Sequence, residues 1–255
     1  IVTSVENIGS EARTLEMLSS FTLGSLSPFS EGLTPESLKI HRLRSTWSAE
    51  GRLVTEAAED LQLEPSWKCY SANSVRFGSV GSFPVRGFVP FCAVEDTAHG
   101  VTWAAVTTQS SSWQMELYRQ DFGLSLSGGL ADREFGAWCK TLAPGACFTA
   151  PKAIVTAVRG GADTAAQVLA ENARRAIEPL LPASEKTLPV LFNEFCSTWG
   201  KPTEETVLRH VRALKGKNLG YYVIDAGWYD DDAFEAATKL GRWELSRKAF
   251  PHGLK

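Results

Sequence analysis

The chain has 255 residues, of which 44% are hydrophobic and 22% are charged, and its formal net charge is -3. These values are typical of a globular protein with one large or two medium domains. The near-neutral charge argues against a nucleic-acid partner. No apolar run approaches the ~18 residues of a membrane-spanning helix. We therefore expect a soluble protein, and the sequence leaves open whether it is cytoplasmic or secreted.

Residues 1–158 are predicted to form a β-sandwich. Short apolar or alternating runs recur between glycine-rich turns, and a period of two is typical of strands with one face in solvent. Many short strands separated by turn signals favour two packed sheets. The predicted strands are 52–55, 74–77, 88–91, 101–106, 113–118 and 122–126.

Residues 159–187 are predicted to form a linker that contains a helix. Asp163 can cap this helix, and apolar residues follow it at helical spacing up to Pro182, where the pattern ends. The segment differs in period from the strands before it. We therefore expect a connecting helix between two domains.

The period changes again in residues 188–255, where a strand–helix–strand unit is predicted. Strand 188–192 is followed by a helix that Thr203 caps, and then by strand 221–225. Two strands joined by a crossover helix should be parallel. A second helix can begin at Asp231 or Asp232. The apolar stripe of the first helix is expected to be buried and consists of Val207, Leu208, Val211 and Leu214.

The sequence offers no metal or cofactor motif. The acidic run 230–232 lacks the spacing of a calcium loop, so we expect helix capping and solvated charge there. Neither a phosphate-binding loop nor a dinucleotide fingerprint occurs, and no cofactor is expected. The cysteines are odd in number and lack a Cys-x-x-Cys pair, so we expect buried free thiols. They are Cys69, Cys92, Cys139, Cys147 and Cys196.

The candidate ligand-binding residues follow the predicted parallel strands. Trp199 comes after the first strand, whereas Asp225 and Trp228 come at and after the end of the second. Ligands bind at the carboxyl ends of such strands. Asp can accept sugar hydroxyls and Trp can stack on a sugar ring, although simple packing or turn capping is the alternative for each. Glycoside hydrolysis needs two carboxylates, and the sequence does not decide whether Glu194 pairs with Asp225.

Four segments together suggest a family: 192–200, 223–229, 241–243 and 250–255. They resemble the opening of the catalytic barrel in glycoside hydrolase family 36, the melibiase-type α-galactosidases. The resemblance implies a supersandwich-like β-sandwich at 1–158 and a linker helix at 159–187. It further implies that 188–255 form the first two β/α units of an incomplete, truncated (β/α)8 TIM barrel.

By this resemblance the chain is a fragment of a retaining α-glycosidase that acts on α-galactosides. Its sugar-binding residues would be Asp225, Trp199, Trp228 and, from the sandwich, Trp47. The nucleophile and the acid/base would lie beyond Lys255, so the chain alone is expected to be inactive. Its partners would be a carbohydrate substrate and either the missing C-terminal part or further copies in a homo-oligomer.

Several alternatives remain open at this point. Where the family usually has a second aspartate, this chain has Ala226. That difference admits an N-acetylgalactosaminide substrate, and hence an α-N-acetylgalactosaminidase of the same family. A non-catalytic carbohydrate-binding module and a structural β-sandwich fragment without a ligand are the other two interpretations.

Overall fold

The computed structural model describes residues 1–27, 29, 36–64, 72–120, 123–229 and 243–254 of the chain. The chain divides into two compact units, Ile1–Arg175 and Ala176–Lys255. The predicted helix starting at Asp231 or Asp232, the acidic run 230–232 and Cys69 lie outside the described residues. In the parts of the chain that are described, no helix is long and apolar enough to cross a membrane.

The first unit consists mostly of β-strands, as its alternating sequence pattern predicted. Each predicted strand has a counterpart among the observed ones, although Phe122 lies outside the described residues. The strands are β1 Ser4–Glu6, β2 Arg13–Leu15, β3 Ser19–Leu26, β4 Leu38–Ser45, β5 Arg52–Ala57, β6 Ala72–Ser79, β7 Gly87–Asp96, β8 Val101–Thr107, β9 Trp113–Gln120, β10 Gly123–Leu130, β11 Lys140–Leu142, β12 Cys147–Thr149 and β13 Ala153–Arg159. A 3-10 turn at Glu59–Leu61 and a short helix, α1 at Arg133–Gly136, interrupt them.

Two antiparallel sheets hold the first core. The four-stranded sheet has the order β3-β10-β9-β6 and the five-stranded sheet has the order β13-β8-β7-β4-β5. One cluster of buried side chains draws on both sheets, with Phe21 and Trp113 from the first and Ile40 and Val94 from the second. The two sheets therefore enclose a shared apolar core.

Helix α2, Ala162–Ile177, lies on the other face of the five-stranded sheet. Its Ala165 and Leu169 pack against a cluster that includes Phe91 and Ala104. Asp163 was predicted to cap this helix, but the helix already begins one residue earlier, at Ala162. The Asp163 carboxylate instead lies in the first turn, where it still complements the helix dipole. Two 3-10 turns follow, at Glu178–Leu180 and Ala183–Glu185.

The second unit contains the predicted strand–helix–strand arrangement. Its elements are β14 Leu191–Asn193, α3 Phe195–Thr198, α4 Glu204–Leu214 and β15 Tyr221–Val223. Strands β14 and β15 pair in parallel, with Asn193 opposite Val223 at the carboxyl end. Thr203 caps α4 as predicted, since its hydroxyl accepts a hydrogen bond from the Thr206 amide. This arrangement brings the carboxyl ends of both strands to one edge.

Three local predictions are wrong. Strand β14 begins at Leu191 rather than at Leu188, whose φ of 49° is incompatible with a strand. Helix α4 has no buried residue, and Leu208 and Val211 are exposed, because a two-stranded sheet covers little of a helix face. Among the described cysteines only Cys92 is buried, and burial raises the pKa of its thiol to about 12. The exposed ones are Cys139 in a loop, Cys147 in β12 and Cys196 in α3.

Candidate functional site

Asp225 is held in place by its neighbours at the carboxyl edge of β14 and β15. The Asn193 Nδ2 donates to Asp225 Oδ2 at 2.6 Å, and the Ala226 amide donates to Asp225 Oδ1 at 2.6 Å. Asn193 is itself oriented, because its Oδ1 accepts from the Phe195 amide at 2.9 Å. Each carboxylate oxygen thus has one fixed donor and retains capacity to accept another hydrogen bond. The arrangement suits a carboxylate that receives hydroxyl groups from a ligand.

The same contacts keep Asp225 ionised. The hydrogen bond from Asn193, and then that from the Ala226 amide, lower the pKa of the Asp225 carboxyl below its ordinary value. Slight burial acts in the opposite direction and is the weaker effect. Donors to the charged form favour that form. Asp225 therefore remains an acceptor in mildly acidic solution.

Replacing Asn193 by alanine should raise the pKa of Asp225 towards its ordinary value of 3.8, because the principal donor is lost. A depressed folded-state pKa stabilises the fold above the unfolded-state pKa, and this contribution is lost as the pH falls. The variant should therefore lose most of this stabilising contribution above the unfolded-state pKa, whereas any loss of ligand binding on acidification should begin at a higher pH. An NMR titration of carboxyl carbons in the wild type and the variant measures the shift. If Asn193→Ala leaves the titration midpoint of Asp225 unchanged, the hydrogen bond from Asn193 is not the cause of its lowered pKa.

Glu194 lies beneath this edge and is fully buried at 0% exposure. Its Oε1 accepts from the Asp225 amide at 3.0 Å, and its Oε2 accepts from the Thr198 hydroxyl. The sequence left open whether Glu194 forms a catalytic pair with Asp225. Both of its oxygens accept hydrogen bonds from the protein, and the side chain does not reach solvent. Glu194 is therefore placed to support the backbone at the carboxyl edge of β14 and β15.

Trp199 presents an exposed indole beside the same edge. It ends α3 in the left-handed region with a φ of 52°, and its amide donates to the Phe195 carbonyl at 2.6 Å. The side chain is 66% exposed and makes an edge contact with the Phe195 ring, with centroids 6.0 Å apart. A bulky residue with positive φ is uncommon and is found more often at functional sites. The exposed face is therefore available for stacking.

Trp228 belongs to an aromatic cluster in the second unit. It is half-buried, meets the Tyr229 ring edge-on with centroids at 5.3 Å, and stacks on Trp243 at 6.0 Å. Tyr229 is buried, whereas Trp243 is 67% exposed. Trp243 was not among the predicted site residues, because nothing in the sequence indicates that it returns to contact Trp228.

The loops that follow the two strands touch at a pair of glycines. Gly227 has a φ of 99°, and a Cβ at this position would lie 2.0 Å from the Gly200 carbonyl oxygen. It would also lie 2.9 Å from Cδ of Pro202. Only glycine permits this approach. The contact brings together the loop that carries Trp199 and the loop that follows Asp225.

Trp47 is placed in the first unit, in the loop between β4 and β5, where it is 94% exposed. The other three predicted sugar-binding residues, Trp199, Asp225 and Trp228, lie in the second unit. The participation of Trp47 in a common site therefore stays a prediction. Within the described ranges, no group of three or more His, Cys, Asp or Glu side chains is arranged to hold a metal ion.

Comparison with known proteins found similarity in structure only. No protein-family model matches the chain, and no curated protein sequence matches it. A GH36 α-galactosidase variant, AgaA from Geobacillus stearothermophilus in complex with raffinose, matches with a TM-score of 0.77 and 18% identity over 99% of this chain and 32% of that chain. An α-galactosidase from Lactobacillus brevis matches with a TM-score of 0.74 and 21% identity over 98% of this chain and 31% of that chain.

A third match is the galactosidase domain of the α-galactosidase–sucrose kinase AgaSK, with a TM-score of 0.76 and 17% identity over 99% of this chain and 32% of that chain. The chain thus has the β-rich fold of one segment of these proteins. Specifically, it matches the N-terminal third of GH36 α-galactosidases along 99% of its length, which confirms the structural resemblance. At these identities the likeness establishes a shared fold, and the chain spans about one third of the length of the proteins that it matches.

Proposed function

We propose that the chain supplies the sugar-recognition wall of a retaining α-glycosidase of the GH36 type, acting on α-galactosides or related sugars. The observation that carries the proposal is the Asp225 carboxylate, fixed by Asn193 and Ala226 at the carboxyl edge of two parallel strands. The exposed Trp199 lies on the loop that meets the loop after Asp225. A fixed acceptor beside an aromatic face fits the hydroxyls and the apolar face of one sugar ring.

We infer the domain organisation from the same fold. Residues 1–158 are proposed to be a supersandwich-like β-sandwich, 159–187 a linker helix, and 188–255 the first two units of a (β/α)8 barrel. The two sheets around one core, helix α2, and the parallel pair β14–β15 joined through α4 support this division. The exposed side chains of Leu191, Leu208 and Val211 support additional barrel elements packed against the second unit, since soluble proteins rarely leave such faces open.

In the proposal each residue has a distinct part. Asp225 accepts sugar hydroxyls, Trp199 stacks on the ring, and Trp228 forms a wall of the pocket. Trp47 contributes a further aromatic from the first unit. Glu194 is buried and engaged, so the carboxylate pair of a retaining mechanism is assigned to other barrel strands.

A second candidate is an α-N-acetylgalactosaminidase of the same type. Ala226 stands where the resembling family has a second aspartate, and its methyl group is smaller than the aspartate side chain, which would leave room for a larger substituent on the sugar. The Ala226 amide still supports Asp225. A sugar ring with an N-acetyl group would therefore keep its hydrogen bonds to Asp225 and lack the hydroxyl contact that a second aspartate at position 226 would make.

The chain should bind a galactose-type sugar without hydrolysing it, because Glu194, the carboxylate beside Asp225, is buried and engaged with the protein. Calorimetric titration with methyl α-galactoside and methyl α-N-acetylgalactosaminide tests binding, with the C4-epimeric glucoside as the control. Aryl α-galactoside and aryl α-N-acetylgalactosaminide test turnover. A preference for the acetylated sugar supports the second candidate.

Failure to bind either galactose-type sugar would overturn the recognition proposal. Release of the aryl group by the purified chain would instead place the catalytic carboxylates within these 255 residues. Equal affinity for the glucoside would show that the site does not read the configuration at C4.

A further inference from the structure

Glu194 is a carboxylate that the molecule keeps entirely out of solvent, at 0% exposure. Its hydrogen-bond donors are the amide of Asp225 and the hydroxyl of Thr198, both of which are neutral. No ion pair to Glu194 occurs among the described residues, and burying a carboxyl group without a charged partner is unfavourable unless its hydrogen bonds are satisfied. Apolar packing therefore does not explain why a glutamate occupies this buried position.

The two contacts of Glu194 reach the two halves of the candidate site. Oε1 holds the backbone at Asp225 at 3.0 Å, and Oε2 holds Thr198, the residue immediately before Trp199. The main chain of Glu194 adds to the same junction, since its amide donates to the Val223 carbonyl at 3.2 Å and its carbonyl accepts from the Ser197 amide at 2.8 Å. One residue thus joins the end of β15 to the turn that presents Trp199.

A carboxylate serves both contacts of Glu194 without any rearrangement. Both oxygens accept, one from an amide that cannot reverse its direction and one from a hydroxyl that can. Glutamine in the same place could serve the Asp225 amide only by presenting its NH2 group to Thr198. The hydroxyl would then have to rotate, and the charge that strengthens both hydrogen bonds would be lost.

We infer that Glu194 is a positioning residue of the candidate sugar site, which fixes the Asp225 backbone and the Trp199 turn relative to each other and does not itself touch the sugar. This inference rests on the proposed function for its effect on sugar affinity. Its effect on the conformation of the Trp199 turn is independent of that function.

Three variants test the inference. Thr198→Val removes the hydroxyl at nearly constant shape, Thr198→Ser keeps it, and Glu194→Gln keeps the shape without the charge. The chain is labelled with 5-fluorotryptophan, and the fluorine resonance of Trp199 is assigned with Trp199→Phe. The resonance of Trp113, which is buried in the first unit, serves as the internal reference.

We expect Thr198→Val and Glu194→Gln to shift or broaden the Trp199 resonance and to raise the sugar dissociation constant about tenfold, the size of one charge-assisted hydrogen bond. Thr198→Ser should stay within about twofold of the wild type, because the donor is retained. If Glu194→Gln unfolds the second unit, the comparison of Thr198→Val with Thr198→Ser still tests the inference, because both variants keep the Glu194 carboxylate.

A folded Thr198→Val variant with the wild-type Trp199 resonance and wild-type affinity would overturn the inference. So would a Thr198→Ser variant as impaired as Thr198→Val, because the hydroxyl would then be irrelevant. A chain that binds no sugar but whose Trp199 resonance responds to Thr198→Val and recovers with Thr198→Ser would contradict the proposed function and leave the positioning role supported.

Discussion

Replacing Gly227 by alanine should disrupt the junction between the two strand-end loops. The new Cβ would lie 2.0 Å from the Gly200 carbonyl oxygen and 2.6 Å from its carbon, and both partners are main-chain atoms that cannot rotate away. The φ of 99° adds backbone strain for any residue with a side chain. We expect the free energy of unfolding of the second unit to fall by at least about 3 kcal/mol, the range of severe steric substitutions. Denaturant titration followed by tryptophan fluorescence measures this loss.

Gly216→Ala is the matched control in the same unit. Gly216 has a comparable φ of 77°, but a Cβ there would meet no atom within 4 Å. It should therefore lose only the strain contribution, about 1 kcal/mol. The difference between the two variants isolates the contact between the loops. Equal losses for Gly227→Ala and Gly216→Ala would mean that the two loops do not meet as described.

The sequence predicted elements well where the signal is local. In β9, the alternating residues Trp113, Met115 and Leu117 are all buried, and this alternation is what identified the strand. The start of α4 was likewise predictable, because a threonine cap acts within one helical turn. These features depend on a few neighbouring residues and on the environment of one face.

Features that depend on contacts between distant segments were not predictable in the same way. Strand β10 pairs with both β3 and β9, an order that no local pattern encodes. The apolar stripe of α4 was expected to be buried, whereas Leu208 is exposed. An amphipathic pattern shows which face of a helix prefers burial, but it does not show whether another element packs against that face.

The candidate site shows the same division. Asp225 was identified from its place at a strand end, but its support by Asn193 was not. That contact follows from the parallel register, which places Asn193 opposite Val223 and thus two positions before Asp225. The burial of Glu194 was also beyond the sequence, because a strand-end glutamate can face either way until its partners are known.

Replacing Asp225 by asparagine should abolish most of the sugar affinity. Both side-chain oxygens of Asp225 face donors, the Asn193 Nδ2 and the Ala226 amide. Asn193 cannot simply flip, because its Oδ1 is already bonded to the Phe195 amide. An asparagine at 225 must therefore turn its NH2 group towards a donor in either orientation, and it loses the charge that draws sugar hydroxyls. We expect the dissociation constant to rise at least about thirtyfold, the equivalent of about 2 kcal/mol for hydrogen bonds to a charged group.

Asp163→Asn is the control for charge alone, since it removes one carboxylate from the other unit of the chain. Its sugar affinity should match that of the wild type in the same calorimetric titration. If Asp225→Asn also binds as the wild type does, Asp225 is not part of the site, and the supporting contacts of Asn193 and Ala226 only shape a turn. If Asp225→Asn loses binding while its unfolding transition is unchanged, the loss comes from the missing carboxylate. The second result would show that sugar recognition by this chain depends on the Asp225 carboxylate at the end of β15.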